Sequence, residues 1–464
     1  MMQNVRKKIS ILLLVIGFLW AALPLQAKVS VEEAERLKKD LTPTGAERAG
    51  NADGTIPAWE GGLTAIPDNV QYDPASGGTF PDPFADDEIL FTITAENMGE
   101  YADKLSDGVK EMFKKYPETW KMHVYPSRRT FAAPQWVYDN TYQNALTFEL
   151  TEDKNGARGG YAGVPFPIPK HGAEVVFNHQ CRWSGGDHGE LTRCWLVHAN
   201  GSKTVGGGAY YTFDVPYYDK DGSLETWSGW LSGVLIEYFE PARRKGEIIL
   251  SIAPLDYTRI ADKGNWQYMP GQRRVRRAPS IAYDTPNPSY GGLATYDDAY
   301  MFNSQIDRFD WKLLGKKEIF IGYNSYQIDL APVDDLLTPY HWNPEYFRWE
   351  LHRTWVVEAT LKEGKRHCYG KRVLYMDEDS WNNSLHDKYD TRGNLWRMHM
   401  NAQYANYAMP CWVQRCYALY DFQTDSYATS GMLNGYEDQG KVLWWEDVPP
   451  DVLTPENVRK IGKR

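Results

Sequence analysis

Between about Arg353 and Leu433, the order of apolar and polar positions predicts consecutive antiparallel strands joined by short polar turns. Residues 355–361 alternate in part between the two classes. Residues 362–365 turn the chain, and 369–376 run back. Asp377, Glu378 and Asp379 turn into 381–389, and residues 390–394 turn into 395–407. Residues 416–422 and 427–433 form a last pair around 423–426. Strand-length runs rich in β-branched and aromatic residues, bounded by Gly, Asp and Asn, are the pattern of a meander. A meander this broad buries one face against something else.

Upstream the same reading places strands at 175–183, 191–199, 209–215, 224–239, 247–252 and 266–269. A hairpin over 307–314 and 318–323 turns at Gly315, Lys316 and Lys317. After Val175 little helix is expected beyond a short piece at 344–347. The clearest helix is 94–116, where Met98, Tyr101, Leu105, Val109, Met112 and Tyr116 make a helical stripe. Thr94 caps its start and Pro117 ends it. The expected fold is therefore mainly β (α+β): one large, strongly curved antiparallel sheet with a helix or two against it.

The domain reading follows from these patterns. Residues 1–27 form a signal peptide: Arg6, Lys7 and Lys8, an apolar run over 9–23, and a small-residue cleavage site ending at Ala27. This predicts export to the periplasm. Residues 28–92 are Gly/Pro-rich and irregular after a short helix at 31–37. Trp59, Phe80 and Phe84 dock that segment onto the main β domain, 93–435, and 436–464 form a C-terminal tail.

Composition changes the picture in three ways. Aromatics reach 14%, with 18 Trp and 31 Tyr; such residues serve both cross-strand pairs and binding clefts. Loss of the three basic residues before Ala27 takes the formal charge three units below −10, a poor basis for binding nucleic acid. The five cysteines of an exported chain invite disulfides. If Asp187 and His188 sit at the tip of a hairpin, Cys181 and Cys194 become cross-strand partners and a disulfide follows. Cys411 and Cys416, five apart on a strand, face opposite ways.

The strongest local signal is Trp266, Gln267 and Tyr268 followed by Arg273, Arg274, Arg276 and Arg277. Four arginines in five residues need carboxylates, solvent or an anionic ligand. Two readings stand: salt bridges that hold the strand, and a patch for a phosphorylated head group or anionic partner. No nucleophile elbow, zinc-protease helix or P-loop is present. His179, His188 and His198 are too loosely spaced to define a metal site. No cofactor and no catalytic residue are assigned.

Residues 41–62, the 266–277 motif with its sequel 278–286, Asp307-Arg308-Phe309-Asp310-Trp311 and residues 358–377 resemble an exported Gram-negative family of unknown function. Its members carry the label outer-membrane lipoprotein-sorting protein because their fold resembles LolA and LolB. The resemblance implies a half-open antiparallel barrel with helices on its concave side, and an acyl chain or other apolar ligand. It also implies association with RND/MMPL-type transporters and outer-membrane partners. The reading is a carrier or chaperone for a lipid or other hydrophobic molecule, not an enzyme. A carbohydrate-binding protein and a ligand-free scaffold of an envelope transport complex are the alternatives.

Overall fold

The computed structural model describes residues 28–260, 264–278, 283–436 and 441–463. The signal peptide read at 1–27, the motif residues 279–282 and the acidic pair Glu437 and Asp438 lie outside the described residues. In chain order the strands are β1 (Phe91–Ile93), β2 (Met122–Val124), β3 (Glu149–Leu150), β4 (Ala157–Arg158), β5 (His188–Val197), β6 (Lys203–Asp214), β7 (Trp230–Glu240), β8 (Ile248–Pro254), β9 (Gly264–Met269), β10 (Arg274–Arg277), β11 (Phe309–Gly322), β12 (Trp349–Leu361), β13 (Lys371–Asp377), β14 (Asn383–Tyr389), β15 (Leu395–Asn406), β16 (Cys411–Asp421), β17 (Ser426–Met432) and β18 (Leu443–Trp444). The longer helices are α1 (Asp107–Lys115), α2 (Gln135–Thr147), α3 (Gly172–Gln180) and α4 (Pro455–Gly462). Among the described residues no helix is long and apolar enough to cross a membrane.

All strands but β3 and β4 join one sheet, ordered β1-β2-β12-β13-β14-β15-β16-β17-β5-β6-β7-β8-β9-β10, with β11 also on β12 and β18 on β5. Apart from one parallel bridge between β2 and β12, every pairing is antiparallel. The meander expected between Arg353 and Leu433 is therefore β12 to β17, and β17 closes onto β5. The sheet curls into a half-barrel. Arg415 on β16 and Ser251 on β8 line one cavity, although five strand steps in a flat sheet would part them by about 24 Å.

Four expectations change. Residues 175–183 are not a strand: α3 spans Gly172–Gln180 and is buried along almost its whole length. A helix buried on every side has no polar stripe, so Val175-Val176-Phe177 reads as a strand. Gly315, Lys316 and Lys317 do not turn a hairpin; β11 runs through them against β12, with a bulge between Leu313 and Gly315. The 94–116 helix breaks at Leu105: a 3₁₀ turn covers Met98–Lys104, and Ser106 then caps α1, its Oγ accepting from Val109 N–H at 3.2 Å. The Cys181–Cys194 disulfide is not formed. All five cysteines are free; Cys181 ends α3, and Cys194 on β5 faces Gly207 of β6.

Ile56, Val70 and Phe80 enter the main core. Arg129 ties residues 28–92 to the β13–β14 turn: Nη1 donates to the Arg48 and Pro57 carbonyls at 3.4 Å, and Nε and Nη2 donate to the two oxygens of Asp379 at 2.8 and 2.6 Å. The C-terminal stretch adds β18 and α4. Leu453 and Val458 join Leu235, Ile248, Leu250 and Tyr268 in a cluster that covers one face of β7–β9.

Candidate functional site

The period of two along β7 and β8 sends alternate residues to opposite faces. Leu235, Ile248 and Leu250 pack under α4. Ser232, Val234 and Ile236 of β7, with Ile249, Ser251 and Ala253 of β8, face a two-lobed cavity on the other side. β5 contributes Glu190 to both lobes, His188 to the first and Thr192 to the second. β6 contributes Phe213 and Tyr211. The first lobe encloses about 130 Å³ and the second about 100 Å³. The walls mix apolar side chains with many polar ones, among them Arg182, Asn303 and Gln414 in the first lobe and Asn287, Ser289 and Asp297 in the second.

Tyr300 stands between the lobes. Its ring lies 5.7 Å from Phe213 in the first and 6.5 Å from Tyr417 in the second. Tyr300 and Met301 both have left-handed backbones, φ 52° and 70°, without being glycine. Such residues cost about 1–3 kcal/mol each and persist only where their surroundings fix them. Here they are fixed: Tyr300 N–H donates to Tyr417 Oη at 3.1 Å. His179 Nε2 donates to the Tyr300 carbonyl at 3.1 Å, and His386 Nδ1 to the Met301 carbonyl at 2.7 Å. The same loop is anchored upstream by buried ion pairs, Asp297 with Arg372 and Asp298 with Lys388 at 3.1 Å.

The charged groups of the cavity divide into paired and unpaired. Arg415 meets Glu190 at 3.1 Å and Asp329 at 3.5 Å. Burial pushes the Asp329 carboxyl up to about 6, against the pull of Arg415. His188 stacks on Phe213 at 4.4 Å, and burial holds its pKa down at about 4, so the ring is neutral. Among the described residues no carboxylate lies within 4.0 Å of Arg182. Arg182 donates from Nη1 to the His179 carbonyl at 2.7 Å and from Nη2 to Gln414 Oε1 at 2.8 Å. Burial pushes its guanidinium down to about 10.

Other clusters are structural. Asp298, His386 and His399 come within ligand distance of one another, as do His352, Asp377 and Asp379, and Asp284, His367 and Cys368. Each set already contains a carboxylate neutralised by a basic side chain: Lys388 on Asp298, Arg129 on Asp379, Arg308 on Asp284.

The residues singled out in sequence lie elsewhere. Trp266, half-buried, and Tyr268, buried, pack beneath α4 rather than in the cavity. β10 pairs with β9 as the last strand of the sheet, and Arg273, Arg274, Arg276 and Arg277 are exposed there. Among the described residues no carboxylate lies within 4.0 Å of Arg273, Arg274 or Arg276. Charge on an edge strand opposes edge-to-edge pairing with another sheet. Of the histidines compared in sequence, only His188 lines the cavity. Arg182, Glu190, Tyr300 and Arg415 were not distinguished in the sequence.

The chain is similar to known proteins over most of its length. A Pseudomonas aeruginosa chain described as uncharacterized protein PA3922 is 40% identical over 452 residues, covering 94% of this chain and 96% of that one. Among solved structures, an outer membrane lipoprotein-sorting protein domain from Vibrio parahaemolyticus is 16% identical. It covers 62% of this chain and 98% of its own, with a TM-score of 0.43. A DUF1329 family protein from Desulfovibrio piger is also 16% identical, covering 60% and 92%, at a TM-score of 0.39. A LolA superfamily protein from Nitrosomonas europaea is 10% identical, covering 61% and 97%, at 0.34. Residues 92–459, which hold nearly all of the sheet, both lobes of the cavity and most of α4, match the family described as protein of unknown function (DUF1329), and the chain belongs to that family.

Proposed function

We propose that the protein is a periplasmic carrier that binds a lipid or other hydrophobic molecule in the two-lobed cavity and releases it unchanged to an envelope partner. The observation that carries this reading is the cavity itself. Val234, Ile236, Ile249 and Ala253 of β7 and β8 face a partly open space instead of a packed layer. Each methylene removed from water there contributes about 0.8 kcal/mol. No bond needs to form or break, and the paired state of Glu190 and Arg415 suits a wall rather than an acid/base couple. The partner in this reading is an RND/MMPL-type transporter or an outer-membrane protein. The exposed Arg274 and Arg276 on the sheet edge offer it a basic face.

The test is native mass spectrometry of the mature protein from the periplasm, followed by organic extraction and lipid analysis. A stoichiometric apolar ligand is expected. An unliganded mass that stays unliganded after incubation with envelope lipids overturns the carrier reading in favour of a scaffold. Arg274→Ser with Arg276→Ser tests docking separately: partner capture falls while ligand content is unchanged.

A further inference from the structure

Resting on the carrier reading, we infer that the ligand is an anionic amphiphile, and that Arg182 in the first lobe holds the carboxylate or phosphate oxygens of its head group. The tail then lies along the Val234 and Ser251 wall.

Arg182 differs from the buried, paired arginines of the core. Arg129, Arg372, Arg397 and Arg415 each hold a carboxylate, on Asp379, Asp297, Asp421 and Glu190 respectively. Arg182 is half-buried, lines the cavity and has no carboxylate within 4.0 Å among the described residues. A cation withdrawn from water without a counter-ion costs several kcal/mol. A folded chain keeps such a group where something else supplies the negative charge.

The geometry is prepared for an anion. A guanidinium has five N–H groups in a planar fork. Two bond to the His179 carbonyl and Gln414 Oε1, which orient the fork and leave the remaining donors. Ser184, Ser232 and Ser251 line the same lobe. The neighbouring carboxylates are engaged elsewhere: Glu190 and Asp329 both lie on Arg415, and neither comes within 4.0 Å of Arg182. With Glu190 already hydrogen-bonded to Arg415 at two nitrogens, 3.2 and 3.1 Å, Arg182 is the cation left for a ligand. Planar, bidentate recognition of carboxylate or phosphate is the task for which a guanidinium is suited.

The experiment compares decanoate, decyl phosphate and decanol, three probes with one tail, by isothermal titration calorimetry on the delipidated mature protein and on Arg182→Met. Wild-type protein is expected to bind the better anion at least tenfold more tightly than decanol. Arg182→Met brings that ratio to near one while decanol affinity stays within twofold. The order of decanoate and decyl phosphate then separates a fatty-acid-like ligand from a phospholipid-like one. Equal binding of all three by wild type overturns the head-group assignment and leaves the carrier reading standing. Anion preference that persists in Arg182→Met overturns it too. No binding of any probe removes the carrier reading as well. If Arg182→Met does not fold, Arg182→Lys carries the test: it keeps the charge, loses the fork, and reduces anion preference at least threefold with decanol unchanged. An unchanged preference in Arg182→Lys then overturns the assignment.

Discussion

Replacing Tyr300 by Ala should change the length of tail that the protein accepts. From Leu231 to Val234, β7 advances three residues along the first lobe, about 10 Å at roughly 3.3 Å per residue. From Leu231 to Tyr238, along both lobes, it advances seven, about 23 Å. An extended alkyl chain with bonds of about 1.5 Å gains roughly 1.25 Å per carbon. The first lobe therefore takes about eight carbons and the joined lobes about eighteen. Each buried methylene is worth about 0.8 kcal/mol, close to fourfold in Kd. For wild-type protein, Kd in a series from hexanoate to octadecanoate should fall about fourfold per carbon and level off beyond roughly eight to ten. In Tyr300→Ala the fall continues toward the longest members. The backbone bonds that hold the loop, from Tyr417 and His179, involve only the amide and carbonyl of residue 300 and survive the change. Calorimetry across the series reads both break points. The same break in both proteins refutes the role of Tyr300 as divider, and an unbroken fall in wild type shows that the lobes already communicate.

Two predictions concern the frame that holds the site. Arg129→Met leaves Asp379 buried without its cation and should cost about 3–5 kcal/mol in urea unfolding, most of it recovered by adding Asp379→Asn; a loss under 1 kcal/mol would refute the clamp. Asp387, buried beside the start of α1, has its carboxyl pushed up to about 7, mainly by burial. The folded state keeps that proton between about pH 4 and 7 while the unfolded chain releases it. The stability from this group is thus complete below the unfolded pKa and is lost as pH rises through the folded one. Asp387→Asn should remove up to about 4 kcal/mol of that slope in unfolding measured from pH 4 to 8.

The sheet was legible in the sequence because its strands end at Gly, Asp and Asn turns that physics requires. The 377–379 and 390–394 turns fall between strands as the pattern placed them. What escaped were elements whose surroundings are fixed by the fold rather than by neighbours in the chain. β14, Asn383–Tyr389, is polar at five of seven positions yet buried throughout, because α1 covers one face and the Tyr300 loop meets the other. Its charges are tolerable only beside Asp298 and Ser106, both distant in sequence. α3 begins with a capping box that uses His171 in place of Ser or Thr, so the usual start signal is missing. The site was harder still. Arg182 is one arginine between Cys181 and Trp183, and nothing local says that its carboxylate is absent. Tyr300 takes a left-handed backbone with no glycine to announce it.

The two ends of the curl explain why the cavity lies where it does. On the β11–β15 side the curl is tight. Gln403 Nε2 on β15 donates to the Gly322 carbonyl at the end of β11 at 3.0 Å, and Tyr323 packs on Trp412 at 4.4 Å. A side chain at Gly322 would meet the Asn401 carbonyl at 2.6 Å, so no ligand has room there. On the β5–β8 side the curl is wide, and the strained loop carrying Tyr300 covers it together with Asn287, Tyr290 and Trp445. That loop is anchored by Asp297 and Asp298 in the closed half. The closed half therefore serves the open one: its buried ion pairs hold a costly backbone conformation in place over the cavity.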